Sequence, residues 1–339
     1  MNTRTGPRRV SFREKFIGDK QFYKLVLAVA LPIIIQNGIS NFVSMLDNIM
    51  VGSLGTEEMS GVSVINQIYF VYMLCLFGGL GGIGIFTSQY FGKGDFEGIR
   101  KTFRAKLYMG LLLTTLAALV FIFFGDFLIK LYLHEDGTGT GDLTKTLEAG
   151  RTYLDILLIS FPAFFLLQVY ISTLRECSET VLPMKAGLAA VAVNLLFNYL
   201  LIYGSLGFPK LGVAGAAIAT VLSRYVEAGI VIVWTHTHKK RNPWVQGVYR
   251  DLRLPKETGE YLKKGLPLLA NETLWATGQA VLTQCYSTRG IAVLAGLNIA
   301  MTINNFIDII FFTLGNSIGI IVGQLLGAGK LEEAKDRDT

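Results

Sequence analysis

Residues 31–52 read LPIIIQNGISNFVSMLDNIMVG, and residues 266–287 read LPLLANETLWATGQAVLTQCYS. Each is an apolar run of helical length that opens on Leu-Pro, and the likeness continues without a gap, residues 31–94 aligning with 266–329 at an offset of 235. Leu31-Pro32 matches Leu266-Pro267, Gly55 matches Gly290, Gly61 matches Gly296, Phe77 matches Phe312, and Ile83-Gly84-Ile85 matches Ile318-Gly319-Ile320. Gln89, Gly92 and Gly94 match Gln324, Gly327 and Gly329. Shared glycines permit tight turns or close helix contacts. Proline is expected to open each first helix, where it forfeits no hydrogen bond. The pattern is that of a duplicated helical unit.

Composition says where such a unit would live. Of 339 residues, 51% are hydrophobic and only 17% charged, which excludes a soluble two-domain enzyme and a disordered chain. A spanning helix needs about 20 mostly apolar residues to cross about 30 Å of hydrocarbon. Eight stretches qualify: 25–46, 63–91, 107–131, 152–174, 182–203, 212–235, 265–286 and 299–326. The expected fold is therefore all-α and polytopic. The long connections around 132–150 and 237–264 are polar, and the basic N-terminus does not read as a cleavable signal. Cys75 and Cys285 lie in apolar runs and Cys177 at the end of one, a spacing that indicates neither a disulfide framework nor a metal site.

Lysine and arginine set the orientation. The N-terminal segment carries Arg4, Arg8, Arg9, Arg13, Lys15, Lys20 and Lys24, the second connection Lys93, Arg100, Lys101, Arg104 and Lys106, and the sixth connection eight basic residues from Lys239 to Lys264. Alternate loops hold none, or only Lys145, Lys210 or Arg289. The positive-inside rule then places both termini in the cytoplasm of a cell-membrane protein. The net charge of +6 reads as topology and argues against a nucleic-acid partner. The organisation expected is a cytoplasmic segment 1–24, a six-helix lobe 25–236, a cytoplasmic linker 237–264 and the first two helices of a second lobe, 265–339. An offset of six helices makes the copies parallel in the membrane, as in transporters that rock one bundle against another.

The run VALPIIIQNGISNFVSMLDNIMVGSLG in the first helix, GGIGIFTSQYFGKGD, NLLFNYLLIYGSLGFPKLGVAGAAIATVLSRY, GLPLLANETLWATGQAVLTQCYSTRG and GNSIGIIVGQLLGAGKLEEA together resemble the multidrug and toxic compound extrusion transporters over essentially the whole chain. The resemblance implies an exporter of drugs or metabolites driven by inward Na⁺ or H⁺, with two six-helix lobes facing a central cavity, no cofactor beyond the coupling ion, and a monomer at full length.

Intramembrane ionisable groups are costly unless paired or wetted, so they are the first functional candidates. Asp47 lies near the outer end of the first helix, and its repeat counterpart is Leu282, so duplication alone does not call for an acid there. A carboxyl in apolar surroundings can exchange a proton or hold Na⁺. Asn194 and Asn198, four residues apart, share a helical face; their oxygens suit a hard cation, and Thr220 can add another. Interhelical packing is the bland alternative for all three. The resemblance places its coupling-ion aspartate at Asp47, with Asn194, Asn198 and Thr220 around it. The resemblance, in which this helix carries an acid, implies that Glu272, whose counterpart is Asn37, contacts cationic substrate; the bland alternative is a glutamate reaching to the membrane interface. Asn304, Asn305 and Asp308 form a polar patch that reads either as cavity lining or as a helix contact. Arg224 and Glu227, three apart, read as a mutually neutralising structural pair, and Asp155 as an incidental surface acid.

Gly79 to Gly84 matches a dinucleotide fingerprint in form, but within an apolar helix it reads as small-residue packing through Gly78, Gly82, Gly84 and Ser88. Phe161-Pro162 and Pro183 read as kinks or helix starts. His134, His236 and His238 sit at membrane edges without metal spacing. The expected substrates are amphipathic organic cations, drawn by the candidate acids and by cation–π contacts. A lipid-linked oligosaccharide flippase would be expected to gather arginines within the bilayer, where the sequence offers Arg224 alone; a membrane-embedded enzyme would need a Ser/His, paired-acid or metal constellation. By the repeat spacing a full pair of lobes would take about 470 residues, so the last four helices are expected to be missing and these residues alone to be inactive in transport.

Overall fold

Pro32 does not open a helix. A computed structural model describes residues 20–132, 143–250, 253–287 and 291–338. In it α1 runs Lys20–Gly52 with Pro32 well inside, and the repeat-equivalent helix runs Thr258–Ser287 with Pro267 inside. Each helix continues back through polar residues that the apolar pattern excluded, so each proline stands inside its helix, where it removes one internal hydrogen bond. Arg4, Arg8, Arg9, Arg13, Lys15, His134 and Arg289 lie outside the described residues, as do the side chains of Cys285 and Asn305.

The remaining elements follow in order: α2 Thr56–Lys93, α3 Phe96–Tyr132, α4 Leu143–Leu157, α5 Phe161–Glu176, α6 Val181–Tyr203, α7 Val213–Thr237, α8 Thr258–Ser287, α9 Ile291–Gly327 and α10 Leu331–Asp338. The expected fourth span is α4 and α5 together, joined by a 3₁₀ turn at Leu158–Ser160 that ends at Phe161-Pro162. Pro183 falls in the first turn of α6, where a proline is tolerated. Among the described residues seven helices are long and apolar enough to cross a membrane. The expected span 265–286 forms α8 but is not among them, because Asn271, Glu272, Thr273, Thr277 and Gln279 make it the most polar of the long helices.

Helix α2, with 38 residues, is about 57 Å long at 1.5 Å per residue and outreaches the hydrocarbon. It carries Glu57 and Glu58 in its first turn and Lys93 in its last, each complementing the helix dipole. Its end is a left-handed glycine: Gly94 has φ 75°, and Asp95 N–H returns to Tyr90 O at 2.9 Å. The second copy ends alike, with Gly329 at φ 77° and Lys330 N–H on Leu325 O at 3.0 Å. The repeat is thus conserved down to the cap that stops the helix.

Around α2 pack α1, α3, α4, α5, α8 and α9. The main core draws on residues from Val51 to Val248, which makes α1 to α7 one bundle, while α8 and α9 lie against α2 and α1. The small residues do the expected packing: Gly82 meets Gly265 of α8, and Ser88 meets Gly323 of α9. Facing outward, α3 exposes Leu111, Leu112, Leu116, Ile122, Phe123, Phe124 and Phe127, a surface suited to lipid tails and not to water.

The linker 237–264 is docked rather than loose. Trp244 is buried against Phe103 and Tyr170, Arg100 Nε donates to Trp244 O at 3.2 Å, and Arg104 Nε donates to Val248 O at 2.9 Å. Two arginines that read as topology charges therefore hold the linker onto α3 through its carbonyls.

Candidate ion site in the first bundle

Asp47 stands one and a half turns before the end of α1, opposite the face of α6 that carries Asn194 and Asn198. Asn198 Nδ2 donates to Asp47 Oδ1 at 2.6 Å. The Asn194 amide, with its nitrogen turned to the acid, stands 3.0 and 3.2 Å from the two carboxylate oxygens. Both asparagines are buried, whereas Asp47 is half-buried. Asn198 Oδ1 is buried without a donor. A carboxylate with an orphaned carbonyl beside it is an oxygen-rich corner that fits a hard cation or a proton better than it fits a finished packing contact.

Thr220 does not touch Asp47. Its hydroxyl donates to Ala216 O at 3.1 Å, and Tyr153 of α4 hydrogen-bonds Thr220. Tyr153 was not legible as a site residue, since an aromatic in an apolar helix gives no signal of its own. One turn beyond Thr220, Arg224 donates through Nη1 to Glu227 Oε2 at 3.2 Å and lies over the Phe164 ring at 5.4 Å. The expected pair is formed.

The other acids lie elsewhere. Glu272 packs against Gly78 of α2, where a Cβ would come within 3.2 Å of its Cγ, and its repeat counterpart Asn37 donates to Thr313 Oγ1 at 3.5 Å, joining α1 to α9. Asn304 Nδ2 donates to Asp308 Oδ2 at 2.6 Å, so those two satisfy each other on α9. Among the described residues no bond links Glu272, Asn304 or Asp308 to the Asp47 cluster. Asp155 is paired with Arg151 at 2.9 Å, and Arg151 also reaches Asp126 at 3.2 Å. His236 bonds Tyr170 at 2.8 Å and His238 stacks on Trp234.

A second charged group was missed. Lys106 of α3 and Glu176 of α5 form a buried ion pair, and Lys106 also donates to Ser172 at 3.1 Å and Thr173 at 3.3 Å. Gly84 leaves the room that the Glu176 carboxylate occupies. Neighbouring Arg175 donates to Gln36 of α1 at 2.8 Å while its Nε is buried and unpartnered. Arg224 is thus not the only arginine inside the bundle, which corrects the count made from the apolar segments. Those segments were cut just inside Lys106 and just before Arg175 and Glu176, which hid all three.

A helical bundle whose outer faces suit lipid while its interior holds ion pairs and an oxygen-lined acid is that of a polytopic membrane protein. A family model described as MatE matches residues 32–200 and 267–337, and the chain belongs to that family. A probable multidrug resistance protein NorM of Thermotoga maritima is 27% identical over 91% of this chain and 64% of its own length. The multidrug resistance protein MdtK of Pectobacterium atrosepticum is 25% identical over 91% of this chain and 66% of its own. The chain therefore spans about two thirds of these relatives. A solved structure described as the outward-facing conformation of a multidrug resistance MATE transporter shares the fold, with TM-score 0.80 and 21% identity over 93% of this chain and 67% of that one. A MATE structure in the bent conformation gives 0.79 and 21% over the same shares.

Proposed function

We propose that the protein serves multidrug export, with Na⁺ or H⁺ taken up at Asp47 as the coupling ion and amphipathic organic cations as substrates. The observation that carries this reading is the Asp47 carboxylate held by Asn198 at 2.6 Å beside the orphaned Asn198 carbonyl. Ion binding there replaces an amide-bound, charged acid with a neutralised one, which changes what α1 needs from α6. With Pro32 inside it and one internal hydrogen bond fewer, α1 can respond by straightening or bending. Export then requires that ion and substrate prefer opposite arrangements of the helices. Glu272, Asn304 and Asp308 are the proposed substrate-facing polar groups. The basic loops support a cell-membrane location with both termini in the cytoplasm. The relatives' names support transport rather than catalysis.

Vesicles containing the protein and loaded with a dye cation test this under an imposed Na⁺ gradient and, separately, an imposed pH gradient. Efflux driven by one gradient and abolished by Asp47→Asn supports the reading. Efflux that ignores both gradients, or that survives Asp47→Asn, overturns it.

A further inference from the structure

Pro32 has no N–H, so the carbonyl one turn back, that of Ala28, finds no donor at its usual place within α1. Thr180 supplies one from outside the helix: its hydroxyl donates to Ala28 O at 3.4 Å. One turn past the proline, Gln36 Oε1 accepts from Arg175 Nη2 at 2.8 Å, and Gly187 of α6 leaves room for the Gln36 side chain. Both donors come from residues 175–180, where α5 ends and α6 begins. They grip α1 on either side of its missing hydrogen bond.

Thr180 forgoes its usual task to do this. It stands just before the first turn of α6, where a threonine ordinarily caps the helix with its side-chain oxygen, yet it makes no such bond. Glu179 caps α6 instead, accepting from Leu182 N–H at 3.3 Å. The same short stretch is braced from three more directions. Glu176 pairs with Lys106 of α3, Gln324 of α9 donates to Glu176 O at 2.7 Å and to Ser178 Oγ at 2.9 Å, and Arg241 of the linker reaches Glu179 at 2.6 Å. Ser178 is itself left-handed, at φ 61°, a conformation uncommon for a residue other than glycine. A turn so braced gives α1 a firm anchor.

We infer that Thr180 and Arg175 are positioning residues that clamp α1 across Pro32, so that α1 changes its course there only by releasing them. The inference rests on the reading of α1 as the helix that answers to the ion at Asp47. Were Thr180 only the residue that starts α6, losing its hydroxyl would loosen α6 and not α1.

Amide hydrogen exchange read by mass spectrometry on the purified 339-residue chain in lipid nanodiscs tests this in wild type, Thr180→Val, Thr180→Ser, Arg175→Met and Asp47→Asn, each with and without Na⁺. Thr180→Val keeps the shape of threonine and loses the hydroxyl. Without Na⁺ it should exchange about fivefold faster over residues 29–40, the worth of one hydrogen bond, while α6 keeps its wild-type rate and Thr180→Ser matches wild type. Arg175→Met should quicken the same segment at least as much, since a bond from a charged donor is the stronger. Na⁺ should alter exchange in α1 of the wild type and not of Asp47→Asn. If Na⁺ leaves the wild type unchanged, or acts equally on Asp47→Asn, the ion reading fails and this inference with it. If Na⁺ acts through Asp47 but Thr180→Val keeps the wild-type rate over residues 29–40, quickens the start of α6 instead, or is matched by Thr180→Ser, the ion site stands and the clamp is overturned. Should Thr180→Val not fold, Arg175→Met decides, since a wild-type rate around Pro32 in it overturns the clamp.

Discussion

Gly92 of α2 and Gly327 of α9 occupy equivalent places in the duplication, and each lies on the backbone carbonyl of a glutamine in the other's helix, Gln324 for Gly92 and Gln89 for Gly327. Those glutamines are equivalents of one another, and so are Ser88 and Gly323, which meet one turn earlier. The two copies of the unit therefore cross along matching residues, at the end of the bundle where both helices finish in a left-handed glycine. Gln324 fastens the crossing to α5 by donating to Glu176 O at 2.7 Å and to Ser178 at 2.9 Å. In a transporter of parallel repeats, this contact is where one bundle would have to part from the other.

A disulfide should report that crossing. A Cβ built on Gly323 stands 2.9 Å from the Ser88 Cβ, closer than the spacing of about 3.5–4.5 Å across a disulfide, so the helices need ease apart only slightly. With Cys75, Cys177 and Cys285 replaced, the pair Ser88→Cys and Gly323→Cys should cross-link readily under mild oxidation, seen as a mobility shift reversed by reductant. Failure to cross-link in the resting protein would contradict the crossing.

The Lys106–Glu176 pair makes a prediction about stability. Both side chains are almost wholly buried, at 0% and 9% exposure, so removing one partner strands a charge inside the bundle. Lys106→Met alone or Glu176→Gln alone should cost about 3–5 kcal/mol, and replacing both with apolar residues should recover most of the loss. Thermal unfolding in detergent measures this; single variants as stable as wild type would show that the pair is not buried in the folded protein.

What could be read in advance followed from scarcity and periodicity. Asp47 stands out because a charge within an apolar run is rare, and Asn194 with Asn198 because a four-residue spacing puts two amides on one face. The repeat exposed the α2–α9 crossing residues without saying that they touch. Lys106, Arg175 and Glu176 escaped because hydropathy stops a helix at its first charges, and the carboxylate that makes Lys106 tolerable is 70 residues away. Trp244 escaped for the converse reason: a few apolar side chains scattered through a polar linker show no periodicity, although Trp244 anchors that linker. Pro32 misled because its local rule is sound for a helix start and silent about helices that continue past it.

Asn198 should matter to the ion site through both ends of its amide. Its Nδ2 orients Asp47 and its Oδ1 is the orphaned acceptor, so Asn198→Ala removes a ligand and frees the carboxylate at once. Bonds to charged groups are worth about 1.5–3 kcal/mol, which corresponds to about ten- to hundredfold weaker Na⁺ binding. Calorimetric titration of the purified variant tests this, and wild-type affinity would remove Asn198 from the site.

The linker should loosen in acid. Lys101 of α3 donates to Glu257 at 2.6 Å, and this bond holds the Glu257 carboxyl below the usual carboxylate range. A lowered folded value means that the pair contributes fully above the unfolded carboxylate value, near 4.5, and that the contribution is lost as pH falls through the lower, folded value. Both side chains are 38% exposed, so the contribution is small, under about 1 kcal/mol, and affects local docking rather than the whole fold. A nitroxide label at exposed Leu254, three residues away, should gain mobility below about pH 4.5 in wild type. In Glu257→Gln the same label should be mobile at neutral pH and should respond less to acid. Because the main anchors, Trp244 and the carbonyls held by Arg100 and Arg104, do not titrate in this range, the change should stay local and reverse on neutralisation. A label whose mobility ignores both pH and Glu257→Gln would show that the linker end is held by something other than the Lys101–Glu257 pair.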